Sequence, residues 1–226
     1  MSELSTSKLS TSKLSTTKSS TAEQPTSHHT SSTRQSISLL ITEDHPAYQW
    51  AKKQSDSVNA FGHIGTHIDC YTKIPENSHY TTNTLLLDCT QAMPCMGDIE
   101  QLDISGKSLV LFTANLENNG YGTPEYGKAD TSLDSDVLDA ILARSPAFIV
   151  IDSYGIGAHG DEHISFDKRC EEKNCFVIEN VMLNQELTGK LTQLDIDFDV
   201  TSASTGKRCE VTAILNNAGG NRWSQQ

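Results

Sequence analysis

Along the chain, short apolar runs alternate with turn signals. Ile37 to Thr42, Thr84 to Cys89, Ser108 to Thr113, Phe148 to Asp152, Phe176 to Ile178, Phe198 to Ser202 and Val211 to Leu215 are brief and rich in Val, Ile, Leu and Phe, which predicts strands. Between them, Ser135 to Arg144 places Val137, Leu138, Ile141 and Leu142 on one helical face, with Asp134 as the N-cap candidate. Phe166 to Lys173 and Asn184 to Leu191 are two further helix candidates. Several strands and few helices predict a mixed α/β chain. Periodicity alone does not separate one mixed sheet from another.

The first 35 residues are different material. Leu4 to Lys8, Leu9 to Lys13 and Leu14 to Lys18 repeat a five-residue unit, and Ser and Thr dominate as far as Ser36. Such a stretch lacks the apolar surface needed to offset ordering entropy, so residues 1–35 are expected to be a disordered tail and residues 36–226 a single domain. The tail is mildly basic and almost free of acids, which suits a phosphorylatable arm, an organelle-targeting extension or an inert tail.

Composition narrows the function. With 226 residues and 36% hydrophobic content, the chain can bury one sizeable core. No apolar run approaches the roughly 20 residues of a membrane span. Met1 is followed by Ser, Thr and Lys instead of an apolar core, so no secretory signal is expected and the expected location is the cytoplasm. A formal net charge of −12 argues against nucleic acid as a partner. The six cysteines are spaced too irregularly for a zinc ribbon and read as reduced thiols, with Cys70 beside Asp69 the one to watch as a ligand or an oxidation site.

The chemistry concentrates at His63-x-Gly65-Thr66-His67-x-Asp69. Two imidazoles and a carboxylate so close together offer the donors that zinc or manganese takes up. A helix would turn Asp69 away from the two histidines, and a straight strand would leave His63 and His67 roughly 13 Å apart. A bend at Gly65 closes the site in a way neither regular form can. From the motif alone, a polar loop without a metal remains the alternative.

Phe61 to Asp69 resembles the H-x-G-T-H-x-D motif of the cyclase family of metal-dependent hydrolases, which includes kynurenine formamidase and isatin hydrolase. Ile151-Asp152-Ser153, then Gly160-Asp161-Glu162-His163, then Phe176 to Val181 resemble the same family's later block. The resemblance spans Ile37 to Leu215 and implies a swivelling β/β/α fold. It further implies His63, His67 and Asp69 as metal ligands, and His163 and Glu179 as ligands of a second ion or as groups that position substrate and water.

One departure stands out. Formamidase-like members continue D-x-P-x-H, whereas this chain has Tyr71 in place of the proline and Lys73 in place of the last histidine. A protonated lysine cannot ligate a metal. Lys73 is then a catalytic cation for an anionic substrate or oxyanion, a lysine kept neutral by the nearby dication, or a surface residue. One ion or two is left open.

Other candidates carry less. Gly155, Gly157 and Gly160 read as the loop into His163, since the patterns of nucleotide-binding loops are missing. Asn118 to Pro124 is a surface loop unless Tyr121 lies near the metal. His159 competes with His163 for the later motif position, while His45 and His79 read as surface residues.

The reaction these residues suggest is hydrolysis of a C–N amide bond, a linear formamide or a cyclic amide, in a small molecule by metal-activated water. His163 or Glu179 would carry the proton to the leaving nitrogen. A metal-dependent lyase or cyclase, or a non-catalytic binding module, are the alternatives. The resemblance also implies a homodimer or tetramer.

Overall fold

Three of the apolar runs are apolar because both of their faces are covered. The computed structural model describes residues 32–216. In chain order these form β1 (Ser32–Ser36), α1 (Pro46–Lys53), α2 (Ser57–Gly62), β2 (His67–Asp69), β3 (His79–Asp88), α3 (Met96–Ile99), β4 (Ser108–Phe112) and α4 (Asn115–Asn119). There follow α5 (Ser135–Leu142), β5 (Phe148–Ile151), α6 (Asp161–Glu172), β6 (Phe176–Glu179), α7 (Gln185–Thr188), β7 (Leu191–Phe198) and β8 (Gly206–Asn216).

The strands join in the order β1-β8-β2-β6-β5-β4-β3-β7, and a further β7–β8 pairing closes the sheet into a barrel. β3 to β6 run parallel to one another, with α5 and α6 in the β4–β5 and β5–β6 connections. β2, β7 and β8 are antiparallel to the strands they meet. A mixed barrel with a modest set of helices is the swivelling β/β/α fold that the resemblance implied.

Alternation along β4 and β5 divides the core in two. Val110, Phe112, Phe148 and Val150 share one apolar cluster with Leu194, Ile196, Val211 and Ala213 of β7 and β8. Leu109, Leu111, Ile149 and Ile151 instead meet Val137, Leu138, Ile141 and Leu142 of α5, and Phe166 and Cys170 of α6. Strands buried on both faces read as unbroken hydrophobic runs, which is why these segments stand out in the sequence.

Several expectations are corrected. Ile37 to Thr42 is not a strand: Ser38 makes one isolated bridge to Val181, although Ile37 is buried against β8. The strand lies just before it, at Ser32–Ser36, so the end of the segment expected to be disordered is paired with β8 by its backbone while its side chains stay exposed. The rest of the tail, residues 1–31, lies outside the described residues. Phe198 ends a strand instead of starting one, because Asp199 accepts from the Thr201 amide at 2.8 Å and turns the chain. The Asn184 to Leu191 helix shrinks to α7, capped by Asn184, which accepts from Leu187 N–H at 2.9 Å, and Leu191 already belongs to β7. α6, conversely, begins at Asp161, ahead of the expected Phe166, and so carries His163. Asp134 precedes α5 as expected but makes no side-chain cap.

Candidate metal centre

β2 is inserted antiparallel between β6 and β8, and its short run carries the second half of the histidine motif. α2 ends at Gly62 with His63 as its C-cap, and the chain then turns through Gly65 at φ +71° into β2. A Cβ on Gly65 would lie 2.4 Å from the Leu39 carbonyl oxygen, so both the dihedral and the space require glycine. The bend does what the sequence called for. His63 Nδ1 comes within 3.0 Å of Asp69 Oδ1, and the two imidazole rings lie 5.1 Å apart.

Backbone contacts fix which nitrogen is free. His67 Nδ1 lies 2.9 Å from the Gly65 carbonyl, which can only accept, so Nδ1 carries the proton and Nε2 presents its lone pair. That Nε2 faces Asp69 Oδ1 at 3.6 Å and Glu179 Oε2 at 3.5 Å. His63 is held at its other nitrogen by the Thr205 hydroxyl, 2.9 Å away.

Glu179 arrives from β6, paired with His67 in the antiparallel register. His163 arrives from the first turn of α6, its Nε2 at 3.7 Å from Asp69 Oδ2 and 3.5 Å from Glu179 Oε1. Gly155 makes room for this approach, since a Cβ there would sit 2.5 Å from both Glu179 Oε1 and His163 Cε1. The structure thus gathers His63, His67, Asp69, His163 and Glu179 in one cluster.

It adds a residue that the sequence reading missed. Asp167, one turn after His163 on α6, brings Oδ2 to 3.3 Å from His163 Nε2. The i, i+4 spacing was the available signal, but starting the helix at Phe166 cut it off. Two overlapping donor sets result, His63–His67–Asp69 and Asp69–His163–Asp167, with the ligand atoms of each within 4.8 Å of one another.

Lys73 does not join them. The backbone N–H groups of Tyr71, Thr72 and Lys73 donate to the carboxylate of Glu171 at 2.5, 2.6 and 2.8 Å. This grip directs the Lys73 side chain outward, where Nζ donates to the Glu172 carbonyl and to Asn174 Oδ1, both at 3.3 Å. Its expected catalytic role is therefore corrected: Lys73 is a surface residue, the third of its three readings. Cys70 faces the barrel core, and burial pushes its thiol up to about 12, far from a thiolate ligand. His159 stacks on Tyr154 at 4.0 Å, His45 caps α1, and exposed His79 pairs with Asp197 at 2.8 Å.

The electrostatics suit a cation. Both oxygens of Asp69, both of Asp167 and Oε1 of Glu179 are buried without a hydrogen bond. Leaving such atoms unpaired is costly, and carboxylates with imidazoles are the donors a divalent ion takes up. Burial alone would push the Asp69 carboxyl up, but His67, His163 and His63 outweigh it and hold it well below the usual range. Asp167 and Glu179 are pushed well up, first by burial and then by the negative charges around them. Burial lowers His67, whereas for His163 the carboxylates of Asp69 and Asp167 overcome burial and raise it. The residues present fit a metal ion.

Above the cluster opens a cavity of about 690 Å³, with His63, His67, His163 and Glu179 among its lining residues. Trp50, Tyr71, Tyr121, Tyr126 and Tyr154 form much of its wall. Tyr121 is thus part of the site, its hydroxyl accepting from the Gly65 amide at 3.1 Å. A recess of about 620 Å³ beside Leu39, Phe198 and Arg208 contains none of the cluster's side chains.

Solved structures share this architecture. A potential metal-dependent hydrolase with cyclase activity superposes with a TM-score of 0.59 at 18% identity, over 82% of this chain and 99% of that one. A predicted metal-dependent hydrolase from Bacillus stearothermophilus gives 0.59 at 17% identity, over 81% and 98%. An isatin hydrolase bound to the product analogue thioisatinate gives 0.54 at 13% identity, over 69% and 72%. The fold is theirs. No protein-family model and no curated protein sequence matches the chain.

Proposed function

We propose that the protein is a metal-dependent hydrolase that cleaves a C–N amide bond, in a linear formamide or a cyclic amide, of a small molecule. The observation that carries this reading is the cluster of unpaired buried carboxylates and imidazoles at the base of an aromatic-walled cavity. The fold shared with metal-dependent hydrolases supports it.

His63, His67 and Asp69 would hold a zinc or manganese ion, with His67 set for this by its Nδ1–H bond to Gly65. When bound, such an ion polarises a carbonyl and lowers the pKa of water. Aromatic side chains around the opening orient a flat amide and exclude bulk water. Glu179 and His163 face the same cavity within 3.5 Å of each other, placed to take a proton from the attacking water and return it to the leaving nitrogen.

The binding-module alternative drew its support from Lys73 and Tyr71. Lys73 now lies outside the cavity, and Tyr71 is one of its aromatic walls. The test is an assay of metal-stripped and metal-reloaded protein on N-formyl arylamines, cyclic amides and lactones. Turnover of amides only after reloading is expected. Undiminished turnover in stripped protein, or in a folded His67→Ala variant, would overturn the proposal.

Homodimer or tetramer assembly and a cytoplasmic location belong to the same proposal, checked by sedimentation and fractionation. No helix among the described residues is long and apolar enough to cross a membrane.

A further inference from the structure

Asn180 follows Glu179 at the end of β6 and stands at φ +58°. Neighbouring side chains of an extended strand point to opposite faces, yet Glu179 and Asn180 both line the cavity, as the left-handed turn at Asn180 allows. Glycine would make that turn at less steric cost. The chain keeps an amide there instead.

All but one of the polar groups of Asn180 are bound to protein. Its backbone N–H donates to the Ser153 carbonyl at 3.0 Å, and its carbonyl accepts from the hydroxyl of Thr66, inside the histidine motif, at 2.7 Å. Oδ1 accepts from the Tyr126 hydroxyl. Although Asn180 is only 2% exposed, Nδ2 has no protein partner and is not sealed in the core, so its N–H bonds open on the cavity.

A buried chain of donors fixes that orientation. Asn115 Nδ2 donates at 3.1 Å to the Tyr126 backbone carbonyl, which can only accept, so this amide cannot be reversed. Ser153 Oγ accepts from the same Nδ2 at 2.8 Å and from the Thr131 hydroxyl at 3.1 Å, which leaves its own proton for the Tyr126 hydroxyl beside it. Burial pushes the Tyr126 phenol up, so it keeps its proton and passes a hydrogen bond on to Asn180 Oδ1.

We infer that Asn180 is a catalytic residue whose Nδ2 donates to the carbonyl oxygen of the bound amide, and that Tyr126 is the positioning residue that aims it. The inference rests on the hydrolase reading. As the water oxygen bonds to the carbonyl carbon, the C=O electron pair moves onto oxygen, and Nδ2–H stabilises that charge without giving up its proton. The carbonyl re-forms when the C–N bond breaks.

The test measures kcat, KM and bound metal for metal-reloaded wild type, Asn180→Gly, Tyr126→Phe and the double variant on an N-formyl arylamine. Glycine suits the left-handed backbone, so the fold is kept while the donor is lost. Asn180→Gly is expected to lower kcat by about 10²- to 10³-fold with KM and metal content little changed. Tyr126→Phe should lose less, and the double variant should be no slower than Asn180→Gly, because both changes act on one amide. Infrared difference spectra of the same compound, carrying a ¹³C carbonyl and bound to the metal-stripped full chain, should show a lower carbonyl frequency in the wild type than in Asn180→Gly. Unchanged kcat in Asn180→Gly, or a loss matched by lost metal, overturns the inference and leaves the hydrolase reading standing. Should that variant not fold, unchanged kcat in Tyr126→Phe overturns it instead. A wild type that shows the infrared difference but turns over no amide overturns the hydrolase reading and keeps Asn180 as the carbonyl donor, and neither signal overturns both.

Discussion

His67 and Glu179 stand opposite each other in the antiparallel register of β2 and β6, and their side chains meet at 3.5 Å. Directly paired residues on one face of a sheet hold side chains close without any loop having to order. The candidate ligand and the candidate proton carrier are therefore placed by the barrel itself.

Replacing Glu179 by Gln tests that placement. The amide keeps the shape but cannot take up a proton, so kcat is expected to fall by about 10²- to 10⁴-fold. Manganese at the two-histidine position should persist, read by elemental analysis. Loss of that ion along with activity would make Glu179 a ligand first.

Gly65→Ala is expected to damage both fold and site. The new Cβ meets the Leu39 carbonyl at 2.4 Å in a left-handed backbone, and such strain costs on the order of 1–3 kcal/mol. Urea unfolding should show that loss. Because the same bend delivers His63 to Asp69, metal affinity should drop with it.

Metal removal should change the sign of a substitution. In stripped protein, Asp167→Asn removes an unpaired buried carboxylate and is expected to raise the melting temperature. With manganese in excess, the wild type gains stability through binding and the variant gains less, so their order reverses. Calorimetric scans in the two conditions decide it.

Asp152 gives a pH signature away from the candidate metal ligands. Burial, opposed by donors from Thr113, pushes its carboxyl from 3.8 up to about 6. Between those values the folded chain keeps a proton that the unfolded chain has released. Its contribution favours the fold at the low end and is lost as pH rises through about 6, by on the order of 3 kcal/mol. Relative to Asp152→Asn, the wild type should lose stability between pH 4.5 and 8, measured by urea midpoints. A constant difference would refute the shift.

How much of this was legible depended on what each residue does. β4, β5 and β6 were readable because burial on both faces leaves them apolar except at Ser108 and Glu179, at the strand ends. β1 was hidden because its Ser, Thr, Arg and Gln side chains are exposed and it joins β8 through its backbone. The histidine motif was readable as donor chemistry, and the need for a bend at Gly65 followed from strand and helix geometry. Asp167 was not, because α6 starts just after Gly160, an N-cap residue with φ +101° and no capping side chain to mark the boundary. Lys73 was misread because its direction is set by Glu171, nearly a hundred residues later, a contact that no local pattern announces.

That contact has a mechanical side. Glu171 clasps the strand end leaving β2, and it sits on the helix that carries His163 and Asp167. The two sides of the cluster are riveted at one point, so α6 cannot swing outward without dragging the motif strand along. Trp50 of α1 and Tyr121 border the cavity from segments outside this clasp. One carboxylate thus ties together the two elements that make the floor of the cavity.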